Sequence, residues 1–168
     1  MALAQAGGLS VRRRAFAGSL GEEFGASTPW RAVLAVWLLG AALMLAAGWG
    51  SFSPARFLDG DDALRLQQVR DLLAGQGWFD LTQYRIAPPD GVPMHWTRIV
   101  DVPIAAVILL LRPLIGAAQA EVVAIVLVPL LTLLAAMALT ARLAARFFGA
   151  KAGTIAALLV LAAVPASF

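Results

Sequence analysis

The sequence predicts an all-α, polytopic membrane protein with three transmembrane helices and one long external loop carrying amphipathic and surface helices. Three observations predict it. Hydrophobic residues make up 61% of the 168-residue chain and charged residues 14%, with a mean hydropathy of +0.82, outside ordinary soluble composition. The apolar residues gather in charge-free runs at 32–52, 122–140 and 152–168, close to the ~20 residues a spanning helix needs. Every aspartate lies between Asp59 and Asp101, in the stretch that follows the first run.

Other classes are excluded on composition. The chain has no cysteine, so it can form neither a disulfide framework nor a thiolate metal site. A net charge of +3 and a pI near 10.6 are compatible with nucleic-acid binding. However, the positive residues are scattered and mostly flank apolar runs, where a membrane protein places them. No nucleic-acid partner is expected.

Taken in order, residues 1–31 form a basic cytoplasmic tail. Arg12, Arg13, Arg14 and Arg31 precede the first span, and the positive-inside rule puts them in the cytoplasm. Residues 32–52 are the first transmembrane helix. Residues 53–120 are then delivered to the external side, and within 53–101 seven aspartates outnumber Arg56, Arg65, Arg70, Arg85 and Arg98.

Within that loop, 102–120 is apolar but interrupted at Arg112-Pro113. It is expected to be a surface or re-entrant helix that does not cross. Residues 121–141 are the second span. Arg142, Arg146 and Lys151 mark a cytoplasmic basic turn at 142–151, and 152–168 returns outward as a third span. The expected location is an integral protein of a bacterial inner membrane, with the loop in the periplasm. The remainder of the same chain beyond Phe168 is expected as its partner.

The chemistry-bearing residues sit in the loop. It opens with Leu58-Asp59-Gly60-Asp61-Asp62-Ala63-Leu64-Arg65. Leu66, Val69 and Leu73 recur at helical spacing, and Gly75 or Gly77 ends the pattern. Clustered carboxylates beside lipid headgroups suit a hard divalent cation, which takes oxygen ligands. The plainer account is a capped amphipathic helix, with Asp61 or Asp62 as its cap and Asp61–Arg65 as an i,i+4 pair. Farther along, Pro88-Pro89-Asp90-Gly91 reads as a turn. It is followed by His95, Trp96 and Arg98, a group able to contact a phosphate or a sugar. A structural turn accounts for a lone histidine equally well.

The order of these features resembles the N-terminal part of oligosaccharyltransferase catalytic subunits, in the GT-C class of membrane glycosyltransferases. Asp61 and Arg70 match that family's acidic motif and the arginine nine residues after it, and the stretch 102–120 matches its surface helix. The resemblance covers about 57–168. It implies a donor sugar linked to a polyprenyl phosphate and metal-assisted transfer to an acceptor outside the membrane.

On that basis Asp61 and Asp62 are the candidate catalytic residues, with Asp61 on Mg²⁺ or Mn²⁺. Arg65, Arg70, His95, Trp96 and Arg98 are candidates for binding substrate. Arg70 is equally a candidate for a structural ion pair. The family's second acidic motif would begin beyond Phe168. The alternatives are a transporter or flippase fragment, which would favour ionisable residues inside the spans, and a non-catalytic membrane assembly protein.

Overall fold

A computed structural model describes residues 27–48 and 60–164. Much of the expected basic tail, the end of the first run, Asp59 and the last four residues lie outside them. The described chain is mostly helical, in the order α1 (Trp30–Gly48), α2 (Gly60–Leu73), β1 (Thr82–Gln83), β2 (Val92–Pro93), α3 (Asp101–Ile115), α4 (Ala117–Phe148) and α5 (Ala150–Ala162). Of these, α1 and α4 are long and apolar enough to cross a membrane. At 13 residues, α5 is shorter.

The contacts divide into two units. One contains α1 as far as Met44, α4 from Thr132 onward, and α5. Its core joins Val33 of α1 to Met137, Ala141 and Ala157. Small residues let these helices approach closely. A Cβ at Gly153 would stand 2.8 Å from the Ala141 carbonyl oxygen and 3.0 Å from both Ala145 and Pro29, so no larger residue fits without backbone movement.

The other unit runs from Leu45 to Leu131 and holds the loop. Leu66 and Val69 of α2 are buried with Ile104, Ala105 and Ile108 of α3 and with Ala124 and Val128 of α4. The periodic apolar positions that marked the helix in the sequence are thus the ones that pack. Fully burying a side chain such as Leu66 contributes about 1.5–3 kcal/mol.

Three boundaries differ from expectation. The stretch 102–120 is two helices: α3 continues past Pro113 and stops at Gly116, whose φ of +82° breaks it. The rest of that stretch belongs to α4. A proline so near the end removes only one late backbone hydrogen bond.

Likewise most of the basic turn is helical. Arg142 and Arg146 lie on α4, and the chain breaks only at Gly149, with φ +86°. Asp61 and Asp62 occupy the first turn of α2, because the helix already begins at Gly60.

One element was not expected in an all-α chain. Thr82 and Gln83 pair antiparallel with Pro93 and Val92, and the Met94 N–H donates to the Leu81 carbonyl at 3.1 Å. The turn between the two strands needs Gly91 at φ +72°, where a Cβ would meet Thr82 Cγ2 at 2.7 Å.

Candidate functional site

The loop is organised around Arg98. Its side chain is 2% exposed, far below what is usual for arginine. Nη1 donates to the Gln68 carbonyl at 2.8 Å, and Nη2 donates to Gln76 Oε1 at 2.8 Å and to the Asp80 carbonyl at 2.6 Å. One planar guanidinium thereby ties the middle of α2 to the segment that leads into β1. A buried cation also needs a countercharge. Asp101, fully buried, supplies it with Oδ2 3.7 Å from Nη1.

Asp101 binds a second arginine. Its Oδ1 accepts from Arg65 Nη1 at 3.0 Å, and the same nitrogen lies 3.5 Å from the Thr97 carbonyl. The Arg65 guanidinium carbon sits 4.5 Å from the centre of the Trp96 ring, a cation–π arrangement. His95 meets the Trp96 ring edge-on, with centroids 5.7 Å apart. Arg65, Trp96 and His95 therefore form one group, standing on the half-exposed side of the buried Asp101. Asp61 is one helical turn before Arg65 on the same face of α2, so the acidic motif and this group are adjacent.

The other candidates are placed differently. Arg70 turns to α4, where Nε donates to Glu121 Oε1 at 2.9 Å and Nη2 donates to Oε2. This bidentate bond raises the Arg70 pKa above its ordinary value. Arg98 is committed to internal acceptors. Asp71 accepts from Gln67 at 2.7 Å and from Gln83 and Arg85 at 3.2–3.3 Å. Asp80 closes a local turn by accepting the Thr82 N–H at 3.0 Å. That backbone bond holds the Asp80 carboxyl below the usual carboxylate range.

The carboxylates bear on the metal expectation. Among the described residues no three groups of histidine, aspartate or glutamate gather where they could hold a cation. Asp61 and Asp62 offer hard oxygens of the right kind for Mg²⁺ or Mn²⁺, but two adjacent carboxylates fall short of the six or so ligands such an ion takes. Asp71, Asp80 and Asp101 are turned to other partners. The described residues by themselves do not complete a divalent-metal site.

Three residues with strong roles carried little sequence signal. Asp101 lies 36 positions from Arg65, beyond the reach of local spacing, although Arg98–Asp101 at i,i+3 was a usable hint. Glu121, the one acidic residue between Asp101 and the C-terminus, could have been matched to Arg70 on charge scarcity alone. Gln68 gave no sign that it is fully buried.

Comparison with protein-family models, with curated proteins and with solved structures finds no match for this chain.

Proposed function

We propose that this chain is the membrane-embedded N-terminal part of a GT-C-type glycosyltransferase, taking a sugar or oligosaccharide from a polyprenyl-phosphate-linked donor on the external face of a bacterial inner membrane. The observation that carries the reading is the ordered Arg65. Its Nη1 is fixed by the buried Asp101, and Trp96 supports it. The acidic motif is one helical turn away.

The chemistry follows from charge. Departure of a lipid phosphate builds negative charge, and a pre-oriented guanidinium stabilises it without reorganising. Arg65 can meet phosphate oxygens with the edge that faces away from Asp101, while Trp96 and His95 offer ring surfaces to a sugar. Asp61, with Asp62 beside it as the competing candidate, would orient the acceptor and be this chain's contribution to a Mg²⁺ or Mn²⁺ site whose other oxygens would come from elsewhere in the protein. The chemistry such a cation supplies when bound is charge compensation at the lipid phosphate. Arg70 and Arg98 serve the frame and hold α2 in place.

The test is transfer from a polyprenyl-phosphate-linked sugar by the full-length protein in liposomes, with and without divalent metal. Transfer that depends on metal and falls in Arg65→Ala supports the proposal. Arg65→Ala protein that folds and transfers at the unaltered rate would overturn the role of Arg65. A chain that shows no transfer with any lipid-linked sugar would favour a non-catalytic assembly role.

A further inference from the structure

The loop has a second face that the phosphate site does not use. Phe79 is 93% exposed and Ile99 71%, with Trp78 and Val100 half-exposed beside them. These two apolar turns are far apart in sequence but held together. Arg98, next to Ile99, donates to the carbonyl of Asp80, next to Phe79. The Arg98 side chain therefore ties the Trp78–Asp80 turn to the segment that leads into α3.

From there an exposed apolar stripe continues along α3 through Val102, Leu109, Leu110 and Leu114, opposite the buried Ile104, Ala105 and Ile108. Arg112 is the single exposed charge on this helix. After the break at Gly116 comes α4, itself apolar and exposed at Val123 and Leu131.

We propose that the joined turns at Trp78-Phe79 and Ile99-Val100 are a lipid-contacting edge that seats the loop in the external headgroup region. Lipid is the occupant for two reasons. Exposed apolar residues run from the edge along about 22 Å of α3, and the next helix after Gly116 is long enough to span. Its composition, with a tryptophan and a phenylalanine at one end and a lone arginine at the other, is that of interfacial segments, whose rings sit at headgroup level and whose arginines snorkel. The inference rests on α4 being a membrane span, and not on the glycosyl-transfer chemistry.

These 168 residues hold no cysteine, so single labels can be placed in them once any cysteine elsewhere in the full-length protein is replaced by serine. Single Phe79→Cys, Ile99→Cys, Asp90→Cys and Leu131→Cys variants of the full-length protein carry an environment-sensitive fluorophore. They are reconstituted in phosphatidylethanolamine–phosphatidylglycerol liposomes. Quenching by doxyl-labelled lipid and by aqueous iodide is then compared.

The expected result is lipid quenching and blue-shifted emission at Phe79, Ile99 and Leu131, with iodide quenching at Asp90. Iodide quenching at both Phe79 and Ile99 with Leu131 still in lipid would overturn the edge alone. Protection of both positions from either quencher would mean that protein covers them, which also overturns it. Leu131 outside lipid would remove the span on which the inference rests. Two positions guard against one variant failing to fold.

Discussion

Arg65 and Asp101 meet at 3.0 Å across 36 positions, with the carboxylate wholly enclosed and the guanidinium keeping one flank in solvent. The anion is therefore fixed and the cation is presented. A buried carboxylate between Arg65 and Arg98 is costly to desolvate but costlier to remove, since two cations would then lose their counterion.

Asp101→Ala should accordingly destabilise the loop by about 3 kcal/mol, the low end for breaking a buried pair because Arg65 keeps access to water. Asp101→Asn, which retains an acceptor oxygen, should cost less. Thermal unfolding in detergent, followed by tryptophan fluorescence, measures both. An Asp101→Ala midpoint equal to that of the parent protein would refute this account.

Asp61→Asn should leave expression and folding nearly unchanged and reduce transfer by roughly 100-fold, if the carboxylate acts in the transition state. In the exposed first turn of α2 the exchange loses only a small favourable interaction with the helix dipole, but asparagine lacks the charge that a hard cation requires. Asp62→Asn is the comparison. Loss only in Asp62→Asn moves the assignment by one residue, and full activity in both returns the motif to a structural helix start.

Asp80 titrates below the usual carboxylate range because the Thr82 N–H donates to its ionised form. Its contribution to the turn is therefore present above the ordinary aspartate range, near 3.9, and is lost as pH falls through the lower folded value. Hydrogen-exchange protection of the Thr82 amide should fall across that acidic window. Asp80→Asn, which still offers an acceptor but does not titrate, should flatten the dependence. An unaltered pH profile in Asp80→Asn would exclude Asp80 as its source.

Gln68 is fully buried, and among the described residues neither polar atom of its amide has a hydrogen-bond partner. Gln68→Met fills nearly the same space without that penalty, and should stabilise the loop by about 1–3 kcal/mol. Denaturant or thermal unfolding reads the sign. Destabilisation would reveal that the amide is bonded by a segment beyond those described.

The two sides of the membrane are the last expectation. Cysteines placed at the exposed Asp90 and Ala150 should react with an impermeant thiol reagent from opposite faces of oriented vesicles. Labelling of both from one face would invalidate the inward passage of α4 between them.

What the sequence revealed followed the range of each signal. Periodicity acts over a turn or two, so Leu66, Val69 and Leu73 marked α2, and the charge-free runs marked the cores of α1 and α4. Helix ends were less legible. Pro113 suggested a break that belongs instead to Gly116, and the turn expected over 142–151 narrows to Gly149, both glycines adopting positive φ. At the candidate site, Arg65, His95 and Trp96 were singled out by residue type. Their assembly depends on Asp101 and on an Arg98 whose partners lie 18–30 positions earlier, which no local pattern encodes.

Those separations also set an order in time. Gln68, Gln76 and Asp80 all precede Arg98 in the chain, and Asp101 follows by three residues. Emerging N-terminus first from the ribosome, the loop can therefore close its Arg98 contacts before Glu121 and the rest of α4 have emerged. The Arg70–Glu121 bond has to wait for the following segment. The expected sequence is a latch followed by a lock. Arrested chains long enough for Asp101 to have left the ribosome, but not Glu121, should already resist protease across residues 68–98, whereas protease sensitivity there would place closure later, with α4.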